Sequence, residues 1–338
     1  MGAAMRLPTP AGIRDALALV RRYLPLTPLY RSELLSAALG ADVWLKVETV
    51  SPIASFKLRG ASVDIARARA RGAIRRIVTS STGNHGQGVA YAARLLGIGA
   101  DVFLPAQANP LKAATIAAFG ATLHRHGADN NVAKAEAQRF AAAHGHHFVD
   151  DGESVDLMEG AGTVGLEIVE ALADVDRIYV PVGDGALLGG SACAAKSIQP
   201  RTRVIGVQAE GAPALTLSYH ARRAIEHPVA TIADGLASRT PAALALAALW
   251  QFVDDATVVS DDDLLAAIHS LAESAHVLVE PAGAAALAGA WSQRQALAGQ
   301  RIVLVLTGAN VTIEVLRRAL NSPALFTLAT GTGNAPEP

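Results

Sequence analysis

Four short runs in this chain place chemically capable residues where secondary-structure elements begin or end. Ser55-Phe56-Lys57-Leu58-Arg59-Gly60-Ala61 sets a lysine at a helix start, beside an aromatic ring. The positive end of a helix and an apolar neighbour both disfavour an ammonium group, which suits the amine to imine formation. Ser80-Ser81-Thr82-Gly83-Asn84-His85-Gly86 gathers hydroxyls and backbone N–H groups between a strand and a helix, an anion site fitted to a carboxylate. Gly183-Asp184-Gly185-Ala186-Leu187-Leu188-Gly189-Gly190 resembles a phosphate cradle. It is not the dinucleotide fingerprint, because Leu188 stands at the sixth position, and it lacks the Gly-Lys-Ser/Thr of a P-loop. Thr307-Gly308-Ala309-Asn310 offers a hydroxyl that can face a ring nitrogen. Singly, each run has a plainer reading as a surface lysine or a capped or glycine-containing turn; together they are much stronger.

The elements that must hold these runs alternate. Residues 43–47, 75–79, 100–104, 121–124, 177–182, 203–207 and 301–306 read as strands. Helices are expected from the Ser80 turn through Tyr91 to Leu96, from Pro110 to Gly120, over an Ala-rich stretch ending at His144, and from the Gly183 turn to about Ile198. Ser260 followed by Asp261, Asp262 and Asp263 is a helix start, with a capping hydroxyl and first-turn acids rather than a calcium loop. Short apolar strands alternating with helices imply parallel sheets covered on both faces, with ligands at the carboxyl ends of the strands.

Composition bounds the function. The chain has 338 residues, 51% hydrophobic and 17% charged, room for two domains and a large core. A net charge of -1 with no basic stripe argues against nucleic acid as the main partner. No apolar run approaches the roughly 18 residues of a membrane span, and MGAAMRLPTP lacks the apolar region of a secretory signal. The single cysteine, Cys193, reads as a core residue, and a cytoplasmic location is expected. His144, His146 and His147 lack supporting carboxylate or cysteine ligands and read as a solvated helix end. Residues 327–338 read as a disordered tail.

Taken together, the four runs resemble the fold-type II pyridoxal-phosphate (PLP) enzymes, the group of threonine and serine dehydratases and serine racemases. The resemblance spans Leu26-Thr27-Pro28-Leu29 to Thr307-Gly308-Ala309-Asn310 and includes Thr231-Ile232-Ala233-Asp234-Gly235 and Glu280-Pro281-Ala282-Gly283-Ala284. It implies an α/β fold of two open parallel-sheet domains with the cofactor between them: a large one from 1–52 plus 157–338 and a small, closing one from 53–156. By the same resemblance Lys57 is the Schiff-base lysine, Phe56 packs beside the pyridine ring and Asn84 bonds its phenolic oxygen. Gly183, Asp184, Gly185, Ala186 and Leu187 hold the phosphate, Thr307 faces the ring nitrogen, and Ser81, Thr82, Gly83 and His85 lie near the substrate carboxylate. The implied reaction is loss of water from a β-hydroxy amino acid, giving a 2-keto acid and ammonia, in a homodimer. Racemisation and β-replacement run on the same scaffold, and a non-catalytic PLP-binding regulator is the rival from another class.

The chain departs from the group's pattern in places. Ile53-Ala54 replaces Thr-Gly, a change expected to reshape the substrate pocket. Asp184 stands in a loop of glycines; its tolerance of left-handed backbone would preserve the loop, with the carboxylate pointing away from phosphate. Thr82 stands where racemases of the group carry Ser; its hydroxyl is expected to be held by the turn's own backbone, which favours elimination. Gln208 and Ala214 occupy positions where some relatives have metal-binding acids, so no metal is expected.

Overall fold

The computed structural model describes residues 5–72 and 74–327. Ten strands form: β1 (Leu29–Arg31), β2 (Asp42–Val47), β3 (Arg76–Ser80), β4 (Gly99–Leu104), β5 (Ala121–Arg125), β6 (His147–Phe148), β7 (Arg177–Pro181), β8 (Arg203–Ala209), β9 (Asp255–Val259) and β10 (Arg301–Leu306). They make two sheets, a six-stranded one in the order β1-β2-β10-β7-β8-β9 and a four-stranded one in the order β5-β4-β3-β6. Every pairing is parallel except β1 with β2. The chain is therefore α/β with two open sheets, parallel but for one edge strand, as expected.

Alternation within a strand shows why both faces are covered. In β10, Ile302, Leu304 and Leu306 join one apolar cluster while Val303 and Val305 join another, and all five are buried. The first cluster takes in helices α2 (Glu33–Leu39), α11 (Asp261–Ser274) and α12 (Pro281–Ser292). The second takes in α7 (Val155–Ala171), α8 (Ala186–Ile198) and α10 (Ala243–Phe252). Where α7 crosses α8 the backbones nearly touch: a Cβ on Gly162 would lie 2.7 Å from the carbonyl oxygen of Gly190. Only glycine permits that approach, and it lets α7 and α8 pack backbone to backbone.

Strand ends shift by one or two residues from the sequence expectation: β3 starts at Arg76, β7 stops at Pro181 and β8 runs on to Ala209. The helix expected to reach Gly120 is α5 (Pro110–Ala118). Ser260 does form a capping box with Asp263 at the start of α11. The histidines expected to form a solvated helix end are packed instead. His144 and His146 stack with each other and on Phe140, which also contacts Phe103, and His147 pairs with Asp64. Aromatic packing on the small sheet outweighs hydration of those rings, although His144 remains exposed. Residues 328–338 of the expected tail lie outside the described residues. Among the described residues, no helix is long and apolar enough to cross a membrane.

Candidate active site

Lys57 is the first residue of α3 (Lys57–Arg71), and two devices fix its position. The first is a backbone strap to the end of β10. Phe56 N donates to Thr307 O at 3.0 Å, Ala309 N donates to Ala54 O at 2.9 Å, and Ser55 bridges Gly308. Ala54 makes this strap at φ +51°, a left-handed conformation that is strained with a side chain present. Ile53, expected to reshape the pocket, is 2% exposed and packs in the core against Leu58 and Leu157, away from the cleft. The second device is buried charge. The Arg59 guanidinium bonds both carboxylate oxygens of Glu48 (2.7 and 3.0 Å), both of Glu167 (3.0 and 2.9 Å), and the hydroxyls of Thr27 and Thr163. Lys46 Nζ donates to Glu167 at 2.6 Å, so two buried cations and two buried anions meet in a knot on the third residue of the lysine helix, with the half-exposed Arg21 reaching Glu167 at 3.3 Å from outside.

A cavity of about 960 Å³ opens between the two sheets. Every residue assigned from sequence to cofactor or substrate lines it: Phe56, Lys57, Ser81, Thr82, Gly83, Asn84, His85, Gly183, Asp184, Gly185, Ala186, Leu187 and Thr307. Among the helices that start there without a side-chain cap are α3, α4 (Asn84–Leu95), whose N-cap is Gly83, and α8, whose N-cap is Gly185; α10 and α12 are two more. Thr9, Asn109, Ser154 and Ser260 cap helices with their side chains away from the cavity, and Asp129 and Thr312 do so at its wall. The unmet N–H groups and positive helix ends of α4 and α8 therefore face the cavity, suited to a carboxylate and a phosphate. Gly185 supplies the left-handed residue of the α8 turn at φ +95°, so Asp184 needs no left-handed tolerance, contrary to expectation.

The electrostatics differ from a simple amine-activating pocket. Lys57 Nζ lies 5.2 Å from the Phe56 ring centroid, as expected, but it also pairs with Asp151, which sequence reading missed. Asp151 follows β6, a strand of two residues too short to read from periodicity; the only signal was an acid pair, Asp150-Asp151, preceding a helix. Burial raises the Asp151 carboxyl, but Lys57 and then His85 outweigh it and bring it down to about 2. His85 is buried, its Nε2 3.0 Å from Thr79 Oγ1, and burial lowers its pKa. Asp184 accepts from Ser238 Oγ at 3.1 Å, and burial together with Asp151 pushes its carboxyl up to about 6. Asn84 Nδ2 donates to Glu280 at 2.6 Å, and its Oδ1 accepts from Asn310 at 2.7 Å. In the carboxylate loop it is Ser81 that accepts from the backbone, from Gly83 N at 3.1 Å. Thr82, expected to do so, has no hydrogen bond through its hydroxyl among the described residues. Gln208 is fully buried, its Oε1 taken by the backbone and hydroxyl of Thr216 at 2.9 Å.

Residues 20–308 match the family described as pyridoxal-phosphate dependent enzyme. The chain belongs to that family. L-threo-3-hydroxyaspartate ammonia-lyase of Saccharomyces cerevisiae is 31% identical over 92% of this chain and 95% of its own length. L-threonine ammonia-lyase of Thermotoga maritima is 34% identical over 91% of this chain and 77% of its own. Maize serine racemase superposes with a TM-score of 0.87 at 31% identity, over 93% and 97% of the two chains. The chain is thus a PLP enzyme of the ammonia-lyase and dehydratase group, with pyridoxal 5'-phosphate as its cofactor. The cleft fits that group: a lysine amine, an uncapped helix end for the phosphate and a second uncapped end for a carboxylate share one cavity.

Proposed function

We propose that this enzyme removes water from an L-β-hydroxy amino acid, yielding a 2-keto acid and ammonia. The observation that carries the reading is the convergence of Lys57 and the bare starts of α4 and α8 on one cavity. Lys57 holds the cofactor, the α8 turn from Gly183 to Leu187 takes its phosphate, Phe56 flanks the ring, Asn84 meets the phenolic oxygen and Thr307 faces the ring nitrogen. Ser81, Thr82, Gly83 and His85 orient the substrate carboxylate at the start of α4. When bound, PLP withdraws the charge that develops at Cα. Lys57 Nζ takes the Cα proton, and the strap from Ala54 to Thr307 keeps that nitrogen over the site. Thr307 is uncharged and would bring no negative charge to the ring nitrogen, which would favour prompt loss of the β-hydroxyl over transamination. Residues 53–156 act as the small domain and close the cleft against the domain made by 1–52 and 157–338. The assembly is read as a homodimer working in the cytoplasm, where buried Cys193 stays a thiol.

The substrate side chain is open to a panel of L-threonine, L-serine, phenylserine and L-threo-3-hydroxyaspartate. The last is included because Lys57, Lys112 and Lys134 on the cavity wall each pair with an aspartate, whereas Arg239 has no carboxylate partner among the described residues. Keto acid and ammonia in equal amounts from at least one member support the reading; release from none overturns it. Racemisation is the second reading, favoured by the unengaged Thr82 hydroxyl.

A further inference from the structure

Asp184 is an acid in a turn that must receive a phosphate, and the structure shows what it does there. Its Oδ1 accepts from Ser238, and its side chain packs beside the residue after Asp151, where a Cβ on Gly152 would lie 3.4 Å from Asp184 Cβ, with both acids on the wall of one cavity. Asp151 spends Oδ2 on Lys57 and sits 3.6 Å from His85 Nδ1. Its other oxygen, Oδ1, is buried and finds no donor among the described residues. A proton on Asp184 is the donor that this oxygen lacks. The surrounding charges do not supply another. Lys57 is committed to Oδ2, Lys134 is bound to Asp150 at 2.7 Å, and His85 spends Nε2 on Thr79 and Val149 while its Nδ1 faces Oδ2, not Oδ1, at 3.6 Å.

We propose that Asp184 is a positioning residue that works as a neutral carboxylic acid, sharing its proton with Asp151, and that loading the cofactor draws this proton from solvent. Two adjacent carboxyls in a closed cleft resist double ionisation, and one proton then belongs to the pair. Burial and Asp151 already raise Asp184 to about 6 in the empty cleft. A phosphate dianion arriving at the same turn adds a third negative group and raises it further. Near pH 8 the empty cleft therefore holds Asp184 largely ionised and the loaded one holds it protonated. That proton is taken up from water by the carboxyl pair; the condensation of the Lys57 amine with the cofactor aldehyde, which releases one water, is separate from it and common to wild type and Asp184 variants. The acid thus serves the cradle only by giving up its charge, and cofactor affinity weakens as pH rises.

The inference rests on the α8 turn holding the phosphate. Calorimetric titration of PLP into the cofactor-stripped full-length chain at pH 8, in buffers of different ionisation enthalpy, counts protons exchanged. The wild type should take up close to one proton more than Asp184→Asn, and its affinity should fall with pH while that of the variant stays flatter. Asp184→Gly, which restores a glycine to the turn, should behave like Asp184→Asn. Equal proton counts in all three would overturn the proposal. Pyridoxal, lacking the phosphate, separates the two assignments. If it reproduces the wild-type excess, the turn does not hold the phosphate and that reading fails instead. A ³¹P spectrum of the wild-type holoenzyme provides a check that needs no variant: the shift should move with pH as Asp184 ionises, and a flat profile to pH 9 in a chain that also shows no proton excess counts against the pair.

Discussion

Asn84 and Glu280 share a 2.6 Å hydrogen bond across the cleft, from the first residue of α4 to the residue that precedes α12. Burial pushes the Glu280 carboxyl up to about 7 from an ordinary 4.5, with the Asn84 amide only partly offsetting it. A carboxyl with a higher pKa when folded binds its proton more tightly in the folded chain. Its contribution to stability is therefore complete below about pH 4.5 and lost as pH rises toward 7. Glu280→Gln should remove that part of the pH dependence: Tm of the variant should fall less than wild type between pH 5 and pH 8. Parallel Tm curves would show that Glu280 does not titrate there.

Lys57 should be the site of covalent cofactor attachment. Borohydride reduction of the yellow holoenzyme followed by peptide mapping should place the label on Lys57, and Lys57→Ala should lower turnover by at least about 10³-fold, since imine and base are lost together. A label on Lys112 or Lys134, the other lysines of the cavity wall, would refute the assignment.

The Arg59 knot should matter for stability first. Arg59→Leu leaves Glu48 and Glu167 with only Lys46 as a buried counter-charge and should cost about 3–5 kcal/mol in a denaturant titration. Arg59→Lys keeps the charge but not the forked donors, so a loss well over half as large is expected. A change below about 1 kcal/mol in Arg59→Leu would show that the knot is dispensable.

Thr82 should set the partition between elimination and racemisation. On an L-β-hydroxy amino acid the wild type should yield mainly keto acid and ammonia. The hydroxyl is unengaged, but its methyl stiffens χ1 and occupies space in the cleft. Thr82→Ser should raise the D-isomer several-fold on chiral chromatography while elimination holds. D-isomer formed faster than ammonia by the wild type would reverse the assignment.

Metal should have little effect. Gln208 is committed to Thr216 and Ala214 offers no ligand, so chelation should change the rate less than about twofold. A large loss restored by magnesium would point to another ligand set, with Glu210 the nearest acid in sequence.

The four motifs, the alternation of strands and helices and the family were legible in the sequence, because each is a local pattern: apolar period, a turn composition, a Ser-Phe-Lys run. The capping box at Ser260 and the burial of Cys193 were legible for the same reason. Tertiary structure decided the rest. It turned Ile53 into the core, gave Asp184 a second acid for a neighbour, paired Lys57 with Asp151 and left Thr82 rather than Ser81 unengaged. The charge pairing of the site depends on groups 94 residues apart in sequence, as with Lys57 and Asp151, or 196 apart, as with Asn84 and Glu280. Periodicity reports which face of an element is buried, but the sign of charge facing a lysine depends on which loops the two sheets bring together, and that is settled only when both have folded around one cleft.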